Sequence, residues 1–232
     1  LLVVLFSLEY MQLVIDSGSQ KISAGLFEGD RLVQTSRVQR PEELLDFLKG
    51  KTIEQSLIAG DDKGLMALLA AQGFPCKALV PAEFKRLAND ETLSLLKPDR
   101  IANIFGALYH FPSNDCVIVD LGTTIRFDYV TKQGVYLGGA IFSRILTNGP
   151  TPILGKGLLE QEKSGNYFGL LGALERIVAE LRLSSETPSA VMSIATGELT
   201  RTMQKDLEDF IDKVDPDLTL MGLNQILKEV KT

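Results

Sequence analysis

One pattern occurs twice in this chain and limits what it can fold into. "QLVIDSGSQ" (residues 12–20) is an apolar run that ends on a carboxylate, Asp16, followed at once by Ser17, Gly18 and Ser19. In the second half "VIVDLGTTIRFDYV" (117–130) does the same: the apolar run stops at Asp120, and Gly122, Thr123 and Thr124 follow. Short apolar runs bounded by small turn residues read as buried strands. An unpaired carboxylate is costly to bury, so an acid at the tip of such a strand needs a ligand, a partner or solvent. Two copies in comparable settings point to a duplicated architecture rather than to a chance turn.

The flanking sequence repeats as well. In the first half, strands are expected at residues 11–16, 21–27 and 31–38, joined by glycine-containing turns into an antiparallel meander. A helix opens at Pro41-Glu42-Glu43 and closes at Gly50, the order favoured at helix ends. A short strand at 57–59, a helix at 63–72, a strand at 77–80, a mixed stretch at 81–96 and a helix from 101 to 110 complete that half. The second half begins again with strands at 116–120, 125–130 and 135–141. A long helix at 164–183, a strand at 190–195 and helices at 198–211 and 222–231 follow. The expected fold is therefore α/β: two similar lobes, each a mixed sheet with an antiparallel meander flanked by helices, and a cleft between them. The expected domains are 11–114 and 115–232. Residues 1–10 are read as an apolar leader outside the native start, which is placed at Met11.

Composition narrows the function. The 232 residues carry a net charge of −6, which disfavours general nucleic-acid binding because phosphates repel the molecule as a whole. The apolar start is too short to span a bilayer and lacks signal-peptide features. Cys76 and Cys116 show no metal-ligand spacing and read as reduced buried thiols. No membrane and a cytoplasmic location are the corresponding expectations.

Each Asp-x-Gly turn has the parts of a phosphate site. A strand-end carboxylate suits Mg²⁺ or its waters. Glycine lets the backbone approach a ligand closely, and neighbouring hydroxyls and N–H groups form an anion nest. Phosphoryl transfer is mostly positioning and electrostatics, which such turns supply. Taken singly, each turn is equally ordinary turn chemistry.

Beyond these turns, "PDRIANIFGALYHFP", "VIVDLGTTIRFDYVTKQGVYLGGAI", "SGNYFGLLGAL" and "DLTLMGLNQIL" occur in order. With Gly134, Tyr136, Gly138 and Gly139 after the second turn, the chain resembles the type III pantothenate kinases, within the actin-like ATPase (ribonuclease H-like) superfamily. The resemblance implies transfer of the ATP γ-phosphate to the terminal hydroxyl of pantothenate, the first step towards coenzyme A. It implies phosphate contacts from Asp16, Gly18 and Ser19 and from Asp120, Gly122, Thr123 and Thr124. Asp16 and Asp120 would hold Mg²⁺, and Asp128 a monovalent cation, K⁺ or NH₄⁺. Asp99 would be the general base, and Arg100, Lys97 and Gly139 would lie at the substrate. A homodimer is implied too. Read from the residues alone, Asp99 is equally a helix N-cap, and Arg100 an exposed helix arginine.

Several positions depart from the family pattern. Gln20, Ile125 and Arg126 replace short polar residues, Lys97 replaces a glycine, and Ser143-Arg144 replaces Pro-Gly. Leu158 stands where a pantothenate-holding threonine is usual, and Thr196-Gly197-Glu198 replaces Thr-Gly-Gly. Arg126 either adds positive charge to a phosphate or blocks the site. The sequence thus leaves open an active kinase, a catalytically impaired ligand-binding or regulatory member, or another kinase or phosphohydrolase on the same fold. Elsewhere His110 reads as a helix C-terminal cap and Tyr109 and Phe111 as packing residues. Glu175, Arg176 and Glu180 read as a solvated face. Leu170, Leu171, Leu174 and Ile177 read as a packing stripe, across a dimer in one version.

Overall fold

The structure is a computed structural model that describes residues 11–18, 21–74, 76–87, 89–122, 124–143 and 149–229. The sequence expectations for residues 1–10 and for Ser19, Gln20, Thr123 and Arg144 lie outside the described residues. The described chain forms two units, each with its own five-stranded mixed sheet.

The first unit holds β1 (Met11–Ser17), β2 (Ile22–Glu28), β3 (Arg31–Val38), β4 (Ile53–Ala59) and β5 (Lys77–Ala78) in the order β3-β2-β1-β4-β5. The second holds β6 (Cys116–Leu121), β7 (Ile125–Val130), β8 (Tyr136–Phe142), β9 (Met192–Thr196) and β10 (Lys213–Val214) in the order β10-β9-β6-β7-β8. Read from the other edge, the second order is the first one repeated. In both, the acid-tipped strand is central: it pairs antiparallel with the next strand and parallel with the one after the meander. The duplication expected from sequence is therefore a duplication of topology.

Alternation decides the faces, because successive side chains of a strand point to opposite sides. In the first unit Leu13, Ile15, Ala24, Leu26 and Ile58 pack with Leu44 and Leu48 of α1 (Pro41–Leu48) and Leu65 and Leu69 of α2 (Lys63–Ala71). The opposite face meets α7 (Leu218–Glu229), whose Leu220 lies against Gly25. Asn224 of α7 donates to the Gly29 carbonyl in the β2–β3 turn at 2.8 Å. Near α3 (Asp90–Leu95), α4 (Pro98–His110) packs directly on α7: a Cβ at Gly222 would fall 1.7 Å from the Ala102 carbonyl oxygen. Thr219 Oγ1 donates to Asn103 Oδ1 at 2.7 Å in the same contact. The first unit thus gathers the chain through Phe84, Thr92–Gly106 and the chain from Thr219 on, and the second takes Lys85–Glu91 and Ala107–Leu218.

In the second unit Val117, Val119, Leu121, Ile125, Phe127 and Tyr129 pack against α5 (Leu158–Leu183) and α6 (Thr200–Leu207). Leu170 and Leu174 are fully buried in this core, with Leu171 and Ile177 at its margin, so the helical stripe covers the unit's own sheet. Arg176 pairs with Glu180 on the exposed face of α5. Tyr109 is 40% exposed, which corrects its reading as a packing residue.

Several boundaries shift for physical reasons. β4 begins at Ile53 rather than 57, because pairing with β1 carries the polar residues Glu54, Gln55 and Ser56 into the sheet. α5 starts at Leu158, six residues earlier than expected. Its first turn is closed by Glu160, whose carboxylate accepts from the backbone N–H groups of Lys156 (2.7 Å) and Gly157 (3.3 Å). Residues Pro188–Ala190 form a 3₁₀ turn, so β9 starts only at Met192. α6 and β5 are shorter than expected, and the two-residue β10 had no apolar run to announce it.

Candidate functional site

At the end of β6, Val117, Val119 and Leu121 face the core, which leaves Asp120 on the other face. Its neighbours across the ladders are Arg126 of β7 and Thr196 of β9. Arg126 Nη1 lies 3.8 Å from Asp120 Oδ2, and the two side chains are 19% and 17% exposed. The other carboxylate oxygen faces glycine. A Cβ at Gly197 (φ +96°) would come within 2.8 Å of Asp120 Oδ1, and one at Gly122 within 3.5 Å. The loop after β9 is held on the strand end by Leu199 N–H donating to the Leu121 carbonyl (3.2 Å) and Thr200 Oγ1 donating to the Gly197 carbonyl (2.6 Å).

Arg126, Asp128 and Val130 alternate with the core residues Ile125, Phe127 and Tyr129. Asp128 is therefore on the same sheet face as Asp120, and it is 1% exposed. It sits opposite Gly139 of β8, where a Cβ would fall 1.8 Å from the Phe127 carbonyl oxygen. Gly138 (φ +123°) adjoins a register shift between β7 and β8. Thr124 is half-buried in the turn. Ile125 is fully buried in the core, so the apolar residue at this position is a packing element and not a first contact to a ligand.

The first unit repeats the construction. Asp16 lies on the β1 face opposite Leu13 and Ile15, between Ser23 and Ala59. A Cβ at Gly18 would stand 3.1 Å from the Lys21 carbonyl oxygen. Gly60 (φ +131°) follows β4 as Gly197 follows β9, and a Cβ there would meet Ser17 at 3.1 Å. Asp62 caps α2 by accepting from Leu65 N–H at 2.9 Å, and Ser17 Oγ lies 3.5 Å from its other oxygen. Gly60 and Asp62 were not anticipated. The signal was available, since a glycine follows the parallel strand in both halves.

Asp99 does not cap α4. The helix begins at Pro98, one residue earlier, and Asp99 lies in its first turn, where Oδ1 accepts from Arg100 N–H at 3.0 Å. An acid in this turn is favoured by the helix dipole. Arg100 Nη1 donates to the Leu95 carbonyl at 3.3 Å, so this arginine is tied back to α3. Lys97 is exposed, and its carbonyl accepts from Arg100 and Ile101. Leu158 is 83% exposed at the start of α5. His110 does more than end its helix: Nε2 meets Asp215 Oδ2 at 2.7 Å, with both side chains 16% exposed. Burial works against ionisation of Asp215, but the His110 hydrogen bond, the Asp217 N–H and nearby positive charge together hold it below the usual carboxylate range.

The second unit thus gathers Asp120, Gly122, Thr124, Arg126, Asp128 and Gly139 at one part of its sheet. The first carries Asp16 and Gly18 at its own strand end, and Lys97, Asp99 and Arg100 at the start of α4. Among the described residues no group of three or more His, Cys, Asp or Glu side chains is placed to hold a metal ion. This donor set fits Mg²⁺ only in the way that ion meets nucleotides, through one or two carboxylates and the phosphates themselves.

The model of the family "Type III pantothenate kinase" matches residues 96–146, the stretch that runs from α4 through β8. A type III pantothenate kinase 1 from Francisella tularensis is 29% identical over 92% of this chain and 95% of its own length. The chain is similar to type III pantothenate kinases along nearly its whole length. A second such kinase, from Legionella pneumophila, is 26% identical over 92% of this chain and 96% of its own. The sequence resemblance is borne out. Among solved structures, an inorganic polyphosphate/ATP-glucomannokinase from Arthrobacter superposes with a TM-score of 0.55 at 16% identity, covering 95% of this chain and 99% of that one. At that identity the likeness concerns the fold alone, and it agrees with the expected α/β fold of two similar units. No helix among the described residues is long and apolar enough to cross a membrane.

Proposed function

We propose that this chain is an ATP-dependent pantothenate kinase of type III. The observation that carries the reading is the matched span 96–146, which contains Asp99, Asp120, Asp128 and Gly139 in a chain similar to these kinases over 92% of its length. Asp16 with Gly18 and Ser19, and Asp120 with Gly122, Thr123 and Thr124, contact the ATP phosphates. Bound Mg²⁺ supplies charge neutralisation to the triphosphate, held by Asp16 and Asp120. Asp128 accompanies a K⁺ or NH₄⁺ ion, a role supported by a buried carboxylate facing a glycine backbone.

Lys97, Arg100 and Gly139 adjoin the pantothenate. The arginine and lysine attract its carboxylate, and Gly139 lets β8 close on the Phe127 carbonyl, where any Cβ would clash. Asp99 orients the terminal hydroxyl and accepts its proton. The hydroxyl oxygen bonds to the γ-phosphorus as the bond to the β-phosphate oxygen breaks, giving ADP and 4′-phosphopantothenate. An alcohol proton leaves late in a loose phosphoryl transition state, so an ionised aspartate suffices as base. Work as a cytoplasmic homodimer completes the reading.

Purified protein with ATP, Mg²⁺, pantothenate and either K⁺ or NH₄⁺ should release ADP and phosphopantothenate in equal amounts. Ligand binding without turnover under every cation condition would instead establish the second reading, a catalytically impaired binding or regulatory protein. That alternative is favoured by one observation: Asp120 carries a cationic partner, Arg126, from its own sheet.

A further inference from the structure

Resting on the phosphate-site reading above, we propose that Arg126 is a phosphate-positioning residue that exchanges partners. It pairs with Asp120 in the resting protein. It then moves to a phosphate oxygen of the bound nucleoside triphosphate, leaving Asp120 for the metal that travels with that nucleotide.

Four features of the second unit support the exchange. The Arg126–Asp120 separation of 3.8 Å is at the loose end of an ion pair, well beyond the roughly 2.7–2.9 Å of a tight charge-assisted bond. Both side chains are less than one-fifth exposed, so giving up one charged partner is costly unless another charge takes its place, which a swap between charged partners provides. Asp128 adds a second carboxylate to the same sheet face two residues from Arg126, so the guanidinium offsets negative charge there until a ligand arrives. Finally, the two oxygens of Asp120 face different surroundings. Oδ2 is beside Arg126, while Oδ1 lies against Gly122 and Gly197, whose lack of a Cβ lets the backbone close on that oxygen. A guanidinium next to such a turn has the planar donor fork that matches phosphate.

The test is ATP binding by calorimetry, with Mg²⁺ and with EDTA, on the wild type and on Arg126→Gln, Arg126→Lys and Asp120→Asn. Arg126→Gln should weaken Mg²⁺–ATP binding by about 10- to 100-fold, the loss expected for a charged hydrogen bond, and Arg126→Lys by less. Asp120→Asn should bind Mg²⁺–ATP more weakly than the wild type yet bind ATP in EDTA more tightly, because Arg126 is released in advance. That opposite pair of shifts is what a merely structural role for Arg126 would not produce. Should Arg126→Gln fail to fold by its melting curve, the lysine and asparagine variants decide the matter. Unchanged or tighter ATP binding by Arg126→Gln would mean that Arg126 obstructs the site, and no gain for Asp120→Asn in EDTA would mean that no exchange occurs; either overturns the proposal. A folded wild type that binds no ATP overturns both the exchange and the kinase reading. Wild type that binds ATP as described but makes no phosphopantothenate overturns the kinase reading alone.

Discussion

Gly197 stands so close to Asp120 that its missing Cβ would lie 2.8 Å from Oδ1, with the Leu121 backbone nearer still at 2.7 Å. The carboxylate is thus set against bare backbone on one side. Gly197→Ala would add both this overlap and an unfavourable positive φ, at a cost of about 1–3 kcal/mol. Urea unfolding should show the loss, and ATP affinity should fall with it because the Asp120 turn must shift.

Asp99 lies in the first turn of α4, partly buried, and its Oδ1 accepts from the Arg100 N–H. On the kinase reading, Asp99→Asn should lower kcat by about a hundredfold or more with little change in KM for ATP. Steady-state kinetics beside a thermal melt checks this. Full turnover in the variant would remove Asp99 from the role of base.

Restoring a hydroxyl at residue 125 should harm the protein. Ile125 is fully buried among Leu121, Phe127 and the helices over β7. Ile125→Thr removes a methyl-sized volume and buries a hydroxyl, a change expected to cost about 1–3 kcal/mol. Unfolding free energy should drop by that amount while ATP affinity per folded molecule stays as it was.

The His110–Asp215 pair predicts an acid dependence. Asp215 is held below its ordinary value when folded, so its stabilising contribution is complete above about pH 4 and disappears as the pH falls through the lowered folded value. His110→Leu leaves burial acting on Asp215 with less opposition, which raises that carboxyl. The variant should lose about 1.5–3 kcal/mol at neutral pH, and the gap to wild type should close on acidification. Denaturant unfolding from pH 7 down to pH 3 provides the comparison.

Burial drives the Cys116 thiol up to about 12, with the carboxylates of Asp115 and Asp212 adding to it, and Cys116 is fully buried. Native protein at pH 8 should therefore leave this thiol unreacted towards a disulfide reagent, because the thiolate is the reactive form. Denaturant should expose it, and titration under both conditions counts the difference.

The sequence carried the architecture well where period and turn chemistry agree. Both meanders, α4 and the acid-tipped strands read directly from alternation and glycine placement. It carried less where tertiary pairing overrides local pattern. Glu54, Gln55 and Ser56 give no strand signal, yet parallel pairing with β1 recruits them. The replacement of a hydroxyl by Ile125 looked like damage to a site. Only the side of β7 on which it falls shows that it belongs to the core, while Arg126, one residue on, belongs to the Asp120 face. Pairing of His110 with a residue more than a hundred positions away has no local trace at all.

The first unit cannot be completed in the order in which it is made. Its strands leave the ribosome early, yet Leu220 and Gly222 of α7 fill positions beside Gly25 and Ala102 and are synthesised after the whole second sheet. During translation the later sheet therefore has all of its strands while the earlier one still waits for a covering helix. Nascent chains stalled before residue 218 should accordingly present that uncovered apolar surface to chaperones.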